Sequence, residues 1–180
     1  TLPASVEFVG YRAFPDECDV TALNPQVHFE TATEYAERIP EYDWYGGEAA
    51  DVLYSDGLFD YELSSRGAVL LDCSRFLNQP EVPDVLEIPS ELGGTPVVAI
   101  AANALYTSES YADSLLFGIV LPEGVQRVEA DAFQCCHAAT QISFPSTLTM
   151  LAEGIFFSRL RGNRLPERQP ALFLRKRLPD

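Results

Sequence analysis

Three segments in the second half of the chain end in the same way, with alternating apolar residues and a proline. They are residues 86–89, 119–122 and 142–145, and Pro122 and Pro145 lie 23 residues apart. A fixed period of this length is typical of a solenoid, in which a unit buries its apolar face only against neighbouring units. The period predicts stacked repeats whose strands, each ending at its proline, run parallel to one another.

The apolar residues after each proline repeat as well. Three, six and ten to eleven positions after the last two prolines come Val125 and Leu148, Val128 and Leu151, then Ala132-Phe133 and Ile155-Phe156. The first copy follows with Val97, Ile100 and Ala104-Leu105 once five additional residues are allowed. Gly93 and Gly94 lie in this insertion and indicate a turn that needs a positive φ.

Side chains of successive strand residues point to opposite faces of a sheet. Residues one and three positions before each proline are therefore predicted to face the core, and residues two and four positions before it to face solvent. The outward set is Val85 and Glu87, Gly118 and Val120, and Gln141 and Ser143. This set contains no histidine, no carboxylate pair and no nucleophile beside a base, so it predicts a binding surface rather than a catalytic site.

The repeats resemble the BspA-like leucine-rich repeats of bacterial proteins. A unit of that family has a strand, Leu-Pro, a turn with spaced apolar residues, then Ala-Phe and a Cys or Asn, and residues 119–136 and 142–156 match it. The resemblance covers about residues 58–158, but Leu105 replaces the usual Phe and residues 106–114 exceed the family spacing. It implies a secreted or surface-displayed bacterial protein that engages a protein or glycan and catalyses no reaction.

The predicted fold class is α/β but β-rich: a short right-handed leucine-rich-repeat solenoid with a small N-terminal α/β cap. The regions are the cap (1–57), an opening hairpin with about three repeats (58–158), and a basic tail (159–180). Residues 31–39 are predicted as a helix behind Thr31, with Glu34 in the capping-box position. Residues 59–63 and 68–72 alternate as the two strands of the hairpin.

Charge separates the tail from the rest of the chain. The net charge is −15, and residues 159–180 have seven basic and two acidic residues, which leaves −20 on the remainder. Such an acidic chain is a poor match for nucleic acid or an anionic membrane surface. The tail is expected either to cover the last repeat with its apolar residues or to be dispensable; its apolar residues include Leu160, Leu165, Leu172, Phe173 and Leu174. A structural or intracellular interaction module that uses this tail is the alternative function.

No metal, cofactor or catalytic residue is predicted. Cys135, Cys136 and His137 are adjacent in sequence, and adjacent residues rarely bind one metal ion. The sequence has no nucleotide-binding or hydrolase motif, so an uncharacterised enzyme ranks third. The longest apolar run, residues 115–121, is far shorter than the roughly 18 residues of a membrane span, so no membrane insertion is predicted.

Aromatic residues cluster just before the hairpin. Tyr42, Trp44 and Tyr45 could stack on sugar rings, or they could cover the apolar end of the first repeat. Both interpretations stay open, and the three residues join the strand set as candidate binding residues. Residues 1–3 lack the basic and apolar regions of a signal peptide, so the expected location rests on the resemblance alone.

Overall fold

A computed structural model describes residues 1–14, 18–38, 53–78, 83–105, 116–133 and 141–155. Over these residues the protein is β-rich, with one short α-helix, α1 (Ala32–Arg38), and a 3-10 helix, Ser74–Asn78. The strands of the described residues are β1 (Phe8–Val9), β2 (His28–Phe29), β3 (Leu53–Ser55), β4 (Asp60–Ser64), β5 (Gly67–Asp72), β6 (Val85–Glu87), β7 (Glu91–Leu92), β8 (Thr95–Ile100), β9 (Gly118–Val120), β10 (Arg127–Val128), β11 (Gln141–Ser143) and β12 (Met150–Leu151).

The three strands that end before the repeated prolines lie side by side in one sheet. β9 is in the centre, with β6 and β11 on either side, and both pairings are parallel. Ile119 is aligned with Leu86 and with Ile142, which are the residues three positions before their prolines. The predicted parallel arrangement of these strands is therefore confirmed.

The second strand of each repeat belongs to a larger sheet. Across the described residues its order is β2-β1-β12-β10-β8-β5-β4-β3, and β7 pairs with β8 in a short hairpin. The neighbouring strands from β2 through β1, β12, β10 and β8 to β5 pair in parallel. β4 pairs antiparallel with both β5 and β3. The predicted hairpin is the β4–β5 pair. Each repeat thus contributes one strand to the small sheet and one to the large sheet.

Apolar side chains from both sheets form one core. Leu86 and Ile119 of the small sheet are buried in the same cluster as Ile100, Val128 and Leu151 of the large sheet. These are positions that the repeat spacing predicted to face inward. Because each inward residue packs against its counterpart in the next unit, burial depends on the presence of neighbours.

The turns between the two strands link one repeat to the next. Glu123 accepts hydrogen bonds from the Ser146 N–H and Oγ, both at 2.9 Å, and they hold the pKa of Glu123 below its usual value. Thr147 Oγ1 accepts from the Gly124 N–H at 3.0 Å and donates to the Val125 carbonyl at 2.9 Å. The two neighbouring turns therefore satisfy each other's backbone groups through their side chains.

Residues 2–14 form a further repeat that the period of the later prolines did not reveal. Apolar residues follow Pro3 at the same positions as in the other units: Val6, Val9 and Ala13-Phe14. Nine positions after its proline each unit has a left-handed residue, with φ of 53° at Arg12, 56° at Asp131 and 60° at Gly154. The backbone of this N-terminal repeat therefore matches that of the repeats near the end of the chain.

The N-terminal repeat stacks on the last repeat. β1 pairs in parallel with β12, which places Val9 beside Leu151, and β2 pairs with the other edge of β1. The backbones approach closely at Gly10, where an added Cβ would lie 2.3 Å from the Glu153 nitrogen. β1 thus occupies the large-sheet edge of β12. Residues 159–180 lie outside the described residues, so the tail as a cover of the last repeat stays a prediction.

Helix α1 follows the predicted capping box. The Glu34 carboxylate accepts a hydrogen bond from the Thr31 N–H at 2.8 Å, and the Glu34 N–H donates to Thr31 Oγ1 at 3.3 Å. The division into cap, repeats and tail remains a prediction. In the structure, residues 1–14 and 18–38 lie at the last repeat, and β3 pairs with the hairpin at the opposite end.

We predict that Phe133→Ala destabilises the fold by about 3–5 kcal/mol, because Phe133 is fully buried and its removal leaves a cavity. Urea denaturation monitored by circular dichroism measures the change. Val120→Ala, at an exposed strand position, is the control and is expected to change the free energy of unfolding by less than about 0.5 kcal/mol. Equal effects for the two variants would contradict the predicted core.

Gly10→Ala tests the stacking of the N-terminal repeat. The added methyl group would collide with backbone atoms of Ala152 and Glu153, so we expect a loss of about 1–3 kcal/mol and faster amide exchange in β1 and β2. Gly118→Ala is the matched control, since the nearest atom to its Cβ is a side-chain atom, Val85 Cγ2 at 3.2 Å, rather than backbone at 2.3 Å. Unchanged exchange in β1 of Gly10→Ala would show that β1 does not pack against β12.

Candidate functional site

The outward residues of the small sheet form one exposed surface, which we call the strand face. Val85, Gly118 and Gln141 are aligned across the three strands, and Glu87, Val120 and Ser143 form the adjacent row. All of these positions except Gly118 are exposed, with 38% for Val85 and 37% for Val120. The structure therefore brings together five predicted candidates: Val85, Glu87, Val120, Gln141 and Ser143.

An exposed aromatic residue, which the sequence reasoning missed, lies at the amino end of this sheet. Phe117 is 49% exposed, yet its backbone is held on both sides. Its N–H donates to the Asp84 carbonyl at 2.7 Å, and its carbonyl accepts from the Gln141 N–H at 3.2 Å. The available signal was its position directly before Gly118. Because Gly118 has no side chain, the strand face has a shallow depression at its centre, and Val85 is the nearest side chain to it.

A cleft of about 430 Å³ runs beside β6 at the edge of the strand face. Its lining residues are Phe76, Pro83, Asp84, Val85 and Glu87. Phe76 belongs to the 3-10 helix, where its N–H donates to the Cys73 carbonyl at 3.0 Å. The cleft thus has an apolar wall with two carboxylates beside it, and it extends the candidate surface past the sheet edge.

Several predicted candidates lie outside the described residues. They are Tyr42, Trp44 and Tyr45, and the rejected metal cluster Cys135, Cys136 and His137 also lies outside them. Within the ranges that the structure describes, no three His, Cys, Asp or Glu side chains are grouped to hold a metal ion. In the same ranges, no helix has the length and apolar character needed to cross a membrane.

His28 is the histidine that the structure describes, and it lies on the exposed edge strand β2. Its ring stacks on Phe8 with centroids 5.7 Å apart, and its Nε2 lies 3.4 Å from a Glu34 carboxylate oxygen. The stacking and the carboxylate fix the ring against α1 and β1. This arrangement accounts for His28 as a structural contact.

Glu129 is a buried carboxylate of the large sheet and is only 4% exposed. Burial raises its pKa to about 7, the neighbouring Arg127 opposes that shift and the charge of Glu153 adds to it. The Arg127 Nε lies 3.9 Å from Oε1, while Oε2 has no hydrogen-bond partner among the described residues. A raised pKa is common in active sites, but these neighbours provide no nucleophile, so Glu129 is better explained as a cost of packing.

We predict that Glu129→Gln changes the pH dependence of stability. The folded-state pKa lies above the ordinary value of 4.5, so this carboxyl favours folding when protonated, and that stability is lost as pH rises through about 7. Relative to the original protein, the free energy of unfolding of the variant should increase between pH 5 and pH 8, by up to about 3 kcal/mol. Urea denaturation at both pH values measures this difference. A constant difference would show that Glu129 titrates normally.

No family model matches the chain, and neither does any curated protein. Two solved structures are similar to it. A leucine-rich repeat protein from T. pallidum is 23% identical with a TM-score of 0.44, and the match covers 54% of this chain and 42% of that one. One from Bacteroides capillosus is 20% identical with a TM-score of 0.44, covering 56% of this chain and 71% of that one. The chain thus spans less than half of the T. pallidum protein, and both similar structures are bacterial leucine-rich repeat proteins.

Proposed function

We propose that the protein is a non-enzymatic binding module whose strand face contacts another protein. In this proposal the repeats form a short right-handed solenoid of the BspA-like leucine-rich type. The observation that carries the proposal is the exposure of two apolar side chains, Val85 and Val120, on the strand face, with the exposed Phe117 directly before β9. Contiguous exposed apolar groups rimmed by polar ones are typical of protein-binding surfaces.

The chemistry of the strand face favours a protein over a glycan as partner. Val85 and Val120 gain free energy when another apolar surface covers them, at about 25 cal/mol per Å². Glu87, Gln141 and Ser143 surround them with groups that can form hydrogen bonds at the rim of an interface. Glycan recognition would rely more on the aromatic residues near Tyr42, which lie outside the described residues.

We also propose that the module acts outside the cell or at its surface. Support for this location comes from the resemblance of residues 58–158 to BspA-like repeats. Protease treatment of intact cells of the source bacterium, followed by immunoblotting, tests it. Digestion of the protein while a cytoplasmic marker stays intact is the expected outcome, and equal protection of both would contradict it.

A photo-crosslinking experiment tests the proposed contact surface. A benzophenone amino acid at Val120 should form an adduct with a protein partner, because the side chain points out of the sheet. The same amino acid at Leu23, a more exposed position on another part of the fold (62% against 37% for Val120), is the control. The identified partner is then titrated against the variant Val85→Lys/Val120→Lys.

We expect this double variant to bind at least about tenfold more weakly than the original protein, since charged groups would enter an apolar contact. Leu23→Lys should bind normally. If the double variant also binds normally, the strand face is not the contact surface. If only removal of residues 159–180 abolishes binding, the alternative of a tail-based interaction module is correct. Adducts with glycans alone would indicate a carbohydrate ligand.

A further inference from the structure

Among the described residues, the small sheet leaves a position one strand wide open beside β11. In the large sheet, β1 lies between β12 and β2. The N-terminal repeat therefore separates the last repeat from the segment that leads into β2, which includes residues 19–22. Within the described ranges, Leu2 is the residue that reaches this intermediate position, and it forms a parallel bridge with Ala22. Residues 19–22 are thus two strand spacings from β11, or roughly 10 Å.

A cleft of about 350 Å³ occupies this position. Gln141, Ile142 and Phe144 line it from β11, and the other lining residues are Thr1, Leu2, Phe14, Cys18, Asp19 and Val20. The Phe14 ring packs edge-on against Phe144 with centroids 6.3 Å apart, which closes the Phe144 end of the cleft. The Leu2 N–H donates to the Thr21 carbonyl at 2.7 Å, which fixes Thr1 and Leu2 in the register of a small-sheet strand. The cleft is therefore the continuation of that strand, and we call it the slot.

The exposure of the core residues beside the slot supports this geometry. Leu86 and Ile119 are 0% and 1% exposed, whereas Ile142, at the same position of the last repeat, is only half-buried. Phe144 and Val20 are half-buried as well. The inward row of the small sheet is thus complete up to β11 and incomplete at the slot.

The backbone of β11 is also ready for another strand. Along a parallel strand, successive residues direct their backbone groups to opposite neighbours. The Gln141 N–H donates to the Phe117 carbonyl at 3.2 Å, and the Ser143 carbonyl accepts from the Leu121 N–H at 3.0 Å. Both residues therefore bond to β9, and the N–H and carbonyl of Ile142 between them are directed to the slot.

We propose that the slot receives one further strand, parallel to β11, and that the occupant is a short segment joined to the nitrogen of Thr1 with an aliphatic residue directly before it. Thr1 is two positions before Pro3, so the residue before it has the position of Leu86 and Ile119 in their units. Its side chain enters the core between Ile142 and Val20. The next residue out has the position of Gln141 on the exposed face, where a polar side chain fits.

Two extensions of identical composition test the proposal. Ser-Leu joined to Thr1 places leucine in the inward position, and Leu-Ser places it in the outward position. Amide exchange followed by NMR reports on the Ile142 N–H, and the Gln141 N–H, which already donates to β9, is the internal control. The melting temperature of each protein is measured in parallel.

With Ser-Leu we expect protection of the Ile142 amide to rise by about tenfold or more, together with a higher melting temperature. Leu-Ser should give a smaller change in both, and the Gln141 amide should change little in either protein. Equal protection with the two extensions would overturn the inward assignment. Unchanged exchange at Ile142 with both would show that the slot accepts no strand. Both readouts are independent of any partner of the strand face.

Discussion

The structure depends on one constraint, which is that a single repeat has too little apolar surface to form a core alone. Leu86, Ile119 and Ile142 show the constraint in the small sheet, and Ile100, Val128 and Leu151 show it in the large sheet. Each residue is covered from the side by the equivalent residue of its neighbour. The parallel ladders, the turn hydrogen bonds and the single core all follow from this stacking.

Such a stack has two ends, and among the described residues these ends have different structures. At one end the antiparallel strands β5, β4 and β3 continue the large sheet, and Tyr54 stacks on Tyr61 there. At the other end the N-terminal repeat and β2 continue the ladder beyond β12. There Leu23 and Phe29 remain 62% and 46% exposed. Strand pairing thus extends the large sheet further than the small one, and the slot beside β11 is one result.

Much of the repeat region could be predicted because its information is local. A period of 23 residues and the alternation before each proline were enough to align β6, β9 and β11 and to assign their exposed side chains. The capping box at Thr31 could be predicted for the same reason, because its signal lies within the four residues from Thr31 to Glu34. Exposure of Phe117 could not be derived this way, because it depends on how the backbone enters β9.

The N-terminal repeat was missed for a physical reason. The repeated signal is a strand followed by proline, and in the sequence as given only Thr1 and Leu2 stand before Pro3, too few residues to display it. The positions after the proline, Val6 and Val9, carry the same signal. That β1 pairs with β12 could not be read from spacing, since it joins distant parts of the chain. The assignment of Tyr42, Trp44 and Tyr45 remains a prediction.

The pairing of Phe8 with Met150 has a consequence for how the chain folds. Contacts within and between the later repeats are short-range in sequence and can form early, whereas the contact between β1 and β12 must close a loop of almost the whole described chain. During synthesis the first residues leave the ribosome long before their partner strand exists. Folding is therefore expected to begin in the middle of the sequence and to finish when the two ends of the described chain meet.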